Sequence, residues 1–348
     1  RDQPRSRGLG DVYKRQTDEE KPNIIHAPVP PALLRSYASP SIVAWVIYSK
    51  YVNGMPLYRQ EKDWLQYGFE LSRATMANWV IECTDKYLRV LYEFYHRLLL
   101  SREFAMADES PIQVLKEEGR EATAKSYMWL FRSGEDDTPP IVLYKYASTR
   151  SGDVAKEFLK GFNGYLMADG YTGYNKVQDI KRCCCFAHIR RYFFDAIPKG
   201  KNRDISCPAV QGVEYCDKLF AYERHFKEKG YSYKQIKNGR LKKEKPVIEA
   251  FLSWLEKQKP IKGSKFATAV TYALNRKEHM MTYLEDGRCS LSNNLSEQKM
   301  KSYVIGRKGW LFSDSPEGAE ASAISYSIAE TALENGLNVY KLSLIHIS

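Results

Sequence analysis

Apolar and polar positions change period twice along the chain, from helical to strand-like near Phe104 and back to helical near residue 204. In the first stretch, apolar residues recur at helical spacing over Ile42–Tyr51, Leu57–Tyr67, Arg73–Cys83 and Asp85–Leu100. Ser39-Pro40 opens the first of these helices, Pro56 opens the second, Gly68 breaks it, and Ser72 is placed to cap the third. Two helices joined by a short Gly-containing turn predict a helix-turn-helix, with Arg73, Thr75 and Asn78 on the polar side of its second member. A hairpin of this kind either contacts DNA or only packs, and the pattern fits both.

In the middle stretch, Ala105–Leu115, Tyr127–Phe131 and Ile141–Tyr146 are β-type segments separated by Gly, Asp and Pro turns. Ser151 caps a helix over Asp153–Lys160, ended by Gly161. Tyr165–Ala168 and Cys183–Ala187 are further apolar strands, the first running out at Asp169-Gly170 and the second into a basic helix, His188–Ala196. The predicted class is α/β with a mixed sheet. Residues 204–284 read mostly as helix with a lysine-rich interruption, Lys234–Lys245, and look like an insertion between sheet elements. The expected organisation is a Pro-rich lead-in and helical region over 17–100, a first part of the α/β core over 101–203, a helical insertion over 204–285, and a closing core segment over 286–341.

Charge narrows the class of partner. The 348 residues carry 53 Lys+Arg against 42 Asp+Glu, a net charge of +11 that favours a polyanion, nucleic acid first. A mean hydropathy of −0.51 and the lack of any apolar run near 18 residues argue against a membrane span. Seven cysteines, three of them adjacent (Cys183, Cys184 and Cys185) and with no signal-peptide pattern ahead of them, suggest a reduced, cytoplasmic protein. The two ends carry a different signal. Asp11-Val-Tyr-Lys-Arg-Gln16 can be encoded by GAT GTG TAT AAG AGA CAG, whose reverse complement encodes Leu342-Ser-Leu-Ile-His-Ile347. That string resembles the adapter end of DNA sequencing libraries, so residues 1–16 and 342–348 are expected to be adapter-derived. Without the five basic and two acidic residues of positions 1–16 the net charge falls from +11 to +8.

Two acids stand where chemistry is expected: Asp108 in a strand-like segment and Asp169 at a strand's C-terminal end. In an open α/β sheet such groups project into the crevice where ligands bind. A third, Glu297, lies just inside a helix preceded by the possible caps Ser292, Asn293 and Asn294. Three carboxylates suit the hard divalent cations of two-metal phosphoryl transfer. Spacing alone does not select them, since 42 acidic residues offer many such triples. Glu109 points to the opposite face of a regular strand and is left out of the set.

Local context is more specific. Ala107-Asp-Glu-Ser-Pro111, Ser148-Thr-Arg-Ser-Gly152, Ala168-Asp-Gly-Tyr-Thr-Gly-Tyr174, Cys185-Phe-Ala-His-Ile-Arg-Arg191, Asp286-Gly-Arg288, Asn293-Asn-Leu-Ser-Glu297 and Gly306-Arg-Lys-Gly-Trp-Leu-Phe312 occur in this order. Together with Gly54-Met-Pro-Leu-Tyr-Arg-Gln60 and the segment Leu71–Trp79 they resemble the transposase of the bacterial IS66 insertion-sequence family, over roughly residues 22–340. The resemblance implies an RNase H-like catalytic domain and an Asp-Asp-Glu triad on Asp108, Asp169 and Glu297, holding Mg²⁺ with Mn²⁺ as a substitute. It implies DNA as the partner, both terminal inverted repeats and target, a homo-oligomer that brings two ends together, and action at the bacterial nucleoid. The chain departs from the usual family pattern at Ser110, commonly Thr, and at Gln298, where Arg usually follows the Glu.

Around the triad, His188, Arg190 and Arg191 directly follow a strand and can reach phosphates, or form a merely solvated helix start. Arg307 and Lys308 beside Trp310 suit a clamp on a DNA strand end, or Trp310 and Phe312 are core. Cys183 to Cys185 read as buried strand packing, since adjacent cysteines cannot all ligate one ion. The Lys234–Lys245 run is either solvated surface or a non-specific DNA contact. Two functions outside the full transposase remain at this level: a truncated copy that binds DNA without cutting it, and a two-carboxylate glycosidase, which leaves the basic excess unexplained.

Overall fold

The computed structural model describes residues 14–15, 23–24, 38–201 and 204–347. Apart from Lys14–Arg15 and Asn23–Ile24, which pair as a short antiparallel ribbon, the adapter-like segment 1–16 and the Pro-rich lead-in 17–35 lie outside the described residues. Four helices come first, α1 (Pro40–Tyr51), α2 (Leu57–Gln66), α3 (Arg73–Cys83) and α4 (Arg89–Leu100). The Ser39 and Ser72 hydroxyls cap α1 and α3, accepting from the backbone N–H groups of Ile42 and Thr75. A π-turn over Thr84–Leu88 joins α3 to α4, so the fourth helix begins later than its sequence pattern suggests.

The sheet follows, with strands β1 (Phe104–Gln113), β2 (Lys125–Ser133) and β3 (Val142–Ala147), helix α5 (Gly152–Phe158), strands β4 (Tyr165–Ala168) and β5 (Lys181–Cys184), and helix α6 (Phe186–Asp195). Its order is β3-β2-β1-β4-β5, with β1, β2 and β3 antiparallel in turn and β4 and β5 parallel to β1. The expected mixed α/β sheet is present. The last strand ends earlier than its apolar run suggests, because Cys185 takes the N-cap position of α6. Along β1 the side chains alternate between two cores: Ala105 and Ala107 join one, Phe104 and Met106 the other.

The chain then runs through α7 (Pro208–Glu228), α8 (Tyr233–Gly239), α9 (Lys245–Lys257) and α10 (Lys265–Leu274) before α11 (Asn294–Arg307), α12 (Pro316–Glu334) and α13 (Val339–Ile347). Helices α6, α7, α9 and α10 build the Met106 side of the sheet, while α1, α3 and α12 build the Ala107 side. Helix α12 also covers the edge strand. Ser327 Oγ accepts the Tyr144 N–H at 2.7 Å, and Thr331 Oγ1 accepts the Val142 N–H and donates to its carbonyl, both at 2.9 Å. Hydroxyls on a helix thus satisfy backbone groups that an edge strand would otherwise leave open. Residues 342–347 lie on α13, where Ser343 and Ile347 are buried.

The lysine-rich run resolves into two kinds of residue. Lys234, Lys237, Lys242 and Lys243 are exposed, whereas Arg240 and Glu244 are buried. Arg240 makes a two-pronged pair with Glu223, at 2.7 and 2.8 Å, and donates to the carbonyls of Tyr283, Asp286 and Cys289. Glu244 accepts from the Tyr283 hydroxyl at 2.6 Å. Burial, reinforced by the Glu223 charge, pushes the Glu244 carboxyl up to about 8. A neutral Glu244 leaves Arg240 and Glu223 as one balanced ion pair. Because its folded-state value lies above the ordinary 4.5, the folded chain holds more protons than the unfolded chain between pH 4.5 and about 8. Stability is therefore expected to fall as pH rises through that window. Urea midpoints at its two ends measure the drop, and Glu244→Gln, which stays neutral throughout, should shrink it.

Candidate active site

The register of β1 and β4 brings the first two acids level. Met106 pairs with Met167 across parallel strands, and Asp108 and Asp169 each stand two residues further on. Both side chains therefore leave the sheet on the face of Met106 and Met167. Asp169 Oδ1 accepts the Tyr171 N–H at 2.8 Å, and Asp108 Oδ1 accepts the Glu109 N–H at 2.9 Å. Burial pushes the Asp108 carboxyl up to about 7, with the charges of Glu109, Asp169 and Glu297 adding to it. Such a cluster of mutually repelling carboxylates would be relieved by a cation.

Glu297 reaches the cluster because the start of α11 is bound to β1. Buried Asn293 donates its amide to the Ala107 carbonyl at 2.9 Å, next to Asp108. Asn293, one of the three possible caps, takes the N-cap position of α11, but its side chain makes no capping bond and spans to the strand instead. Glu297 pairs with Arg191 at 3.3 Å and lies 3.7 Å from His188 Nδ1. Burial holds the His188 imidazole below its ordinary value, Glu297 and Asp169 opposing and Arg191 and Arg276 adding to it. Two polar atoms here, Glu297 Oε1 and His188 Nδ1, are buried without a hydrogen-bond partner. Glu297 Oε1 is an open carboxylate oxygen beside His188, and the Glu297 charge acts on Asp108; an open oxygen among like charges is what a divalent cation would satisfy.

An open cleft adjoins Asp169, lined also by Arg150, His188, Arg191, Tyr272 and Arg276. Arg276 stacks on Tyr272 with 3.4 Å between guanidinium and ring centre, and donates to the Gly170 carbonyl at 2.7 Å. A Cβ at Gly170 would meet that guanidinium at 1.6 Å, so a side chain here would push Arg276 off the Gly170 carbonyl. Arg150 grips Glu109 at 2.6 and 2.9 Å, and the Tyr174 hydroxyl donates to the other Glu109 oxygen at 2.6 Å. Glu109 thus faces Arg150 and Tyr174, away from the first carboxylate. Sequence pattern alone selects neither Arg150 nor Arg276. The Ser148–Gly152 motif contains the first, and nothing local marks the second.

The other basic positions separate. Arg190 turns to Asp217 on α7, at 2.5 Å. Arg307 and Lys308 end α11, about 15 Å of helix beyond Glu297, where Arg307 donates to the Pro111 carbonyl. Trp310 packs against the core and carries Lys50 over its ring, while Phe312 is exposed. Arg73 and Asn78 are exposed on α3, the Arg73 N–H bound to Glu61 of α2 at 2.8 Å. Cys183, Cys184 and Cys185 are all buried.

Comparison with known proteins adds to this geometry. A family model described as "Transposase IS66 family" matches residues 35–321. Three curated proteins of Sinorhizobium fredii are similar: uncharacterized protein y4qI, 29% identical over 90% of this chain and 60% of its own length; y4hP, 27% identical over 87% and 58%; and y4jD, 27% identical over 91% and 64%. The chain spans roughly three fifths of the length of these relatives. With the family model covering most of its length, the chain belongs to the IS66 transposase family.

Proposed function

We propose that this chain is the catalytic part of a DNA transposase with an RNase H-like core, and that Asp108, Asp169 and Glu297 hold the Mg²⁺, or Mn²⁺, on which it depends. One observation carries the reading: two acids level on adjacent parallel strands, coupled in charge to a third that a buried Asn anchors beside the first. The strand order and directions support the RNase H-like assignment. When bound, the ions supply charge neutralisation at the phosphate and activation of the attacking oxygen. Water then opens a phosphodiester at the transposon end, leaving a 3′-hydroxyl, and that hydroxyl displaces one oxygen of a target phosphodiester to join the two DNAs. The glycosidase reading loses support, because the cleft beside Asp169 is lined with guanidinium groups suited to phosphates.

The remaining residues bind and orient. Arg191 and Arg276 offer guanidinium groups to the backbone next to the acids, and Tyr272, stacked between Arg276 and Tyr192, holds the Arg276 guanidinium in the cleft. Bringing two terminal repeats together calls for more than one copy. The test is cleavage and joining of a labelled duplex that ends in the element's terminal repeat, expected with Mg²⁺ and abolished by a chelator. Binding has its own signature. Arg191→Ala is expected to weaken DNA affinity about equally for all sequences and to lower the log–log salt slope by about 1. Arg190→Ala, whose guanidinium is tied to Asp217 and does not line the cleft, should change the slope less. Fluorescence anisotropy over a salt series reads both.

A further inference from the structure

At the junction of β5, α6 and α11 one atom type does not belong with Mg²⁺. Cys185 Sγ, a His188 ring nitrogen and a Glu297 carboxylate oxygen all lie within 4.8 Å of one another. His188 Nδ1 and Glu297 Oε1 are both buried without hydrogen-bond partners, 3.7 Å apart. The Cys185 sulphur sits at the N-terminus of α6 and accepts the Asn293 N–H at 3.2 Å, with the N–H groups of Ala187 and His188 also directed at it. Burial raises the Cys185 thiol above its ordinary value and these N–H groups oppose it, so what favours a ligand here is the geometry of three converging donor atoms. Sulphur, imidazole and carboxylate together select a thiophilic cation over a hard one.

We propose that Cys185, His188 and Glu297 form a site for a thiophilic divalent cation, Zn²⁺ being the natural type and Co²⁺ its spectroscopic substitute. The thiol proton leaves to solvent on binding, so thiolate and carboxylate balance the charge of the ion, and three protein ligands leave a tetrahedral ion one further position. Adjacent cysteines cannot share an ion, but this set draws one sulphur from the run and its other ligands from two helices. The site shares Glu297 with the carboxylate set proposed above, so an occupant competes with Mg²⁺ for that residue. Its own existence does not depend on the transposase reading.

The experiment titrates Co²⁺ into the metal-free full chain and follows the near-ultraviolet thiolate-to-cobalt charge-transfer band. One Co²⁺ per chain with that band, erased by equimolar Zn²⁺, is expected. Cys185→Ser should abolish the band, and His188→Ala should weaken binding at least about tenfold. Near-ultraviolet circular dichroism reports whether Cys185→Ser retains the fold; if it does not, His188→Ala decides alone. Asp108→Asn should keep the band, which separates this site from the carboxylate set. No band in the unmodified chain, an equal band in Cys185→Ser, or undiminished binding by His188→Ala would overturn the proposal.

Discussion

Asp169→Asn in the full chain is expected to slow Mg²⁺-dependent strand cleavage on the order of 10³-fold, about 4 kcal/mol of transition-state stabilisation. The amide is nearly isosteric with the carboxylate, and its oxygen can still accept the Tyr171 N–H that shapes the turn after β4. The charge is what disappears. Asp108→Asn should show a loss of the same order, and the double variant little more than either alone, because groups that act as one unit are not additive. Single-turnover cleavage of an end-labelled duplex measures all three, with circular dichroism as the check on folding. Activity within tenfold of the unmodified chain in either single variant would remove both acids from the mechanism.

Arg240→Met is expected to cost about 3–5 kcal/mol of stability, the range for breaking a buried ion pair by removing one partner. Arg240 is 2% exposed. Its guanidinium meets both Glu223 oxygens and three carbonyls, so every donor it carries is used. Removing it strands the Glu223 carboxylate and frees the Tyr283–Cys289 segment, which leads into α11 and Glu297. Urea denaturation should show the loss, while Lys242→Ala, in the same run but exposed, should stay within about 0.5 kcal/mol. Equal midpoints for the two variants would mean that the buried network contributes nothing.

These residues mark where the sequence was legible and where it was not. Caps and periodicity place α1 and α3 with little error, because a Ser hydroxyl on a nearby N–H is a local interaction. The mixed sheet was also readable, from apolar runs bounded by Gly, Pro and Asp. Arg240 was not. It sits among lysines, and its burial depends on Glu223, 17 residues upstream, and on carbonyls more than 40 residues downstream. Asn293 reads only as one of three possible caps for the same reason: sequence displays its local option, whereas its bond to the Ala107 carbonyl spans 186 residues. The carboxylates could be named only through their motif contexts, since spacing among many acids selects none of them. Their level register on β1 and β4 is a property of the assembled sheet. Cys185 shows the remaining gap, a residue that reads as strand packing and becomes a cap beside two unpartnered ligand atoms.

Calorimetric titration of Mn²⁺ into the full chain tests most directly whether the acids of β1, β4 and α11 form one divalent-cation centre. The unmodified chain should bind Mn²⁺ at this site in competition with Mg²⁺, and Asp108→Asn and Asp169→Asn should each weaken that binding at least about tenfold. Mn²⁺ binding of the same affinity and stoichiometry in all three proteins would contradict it.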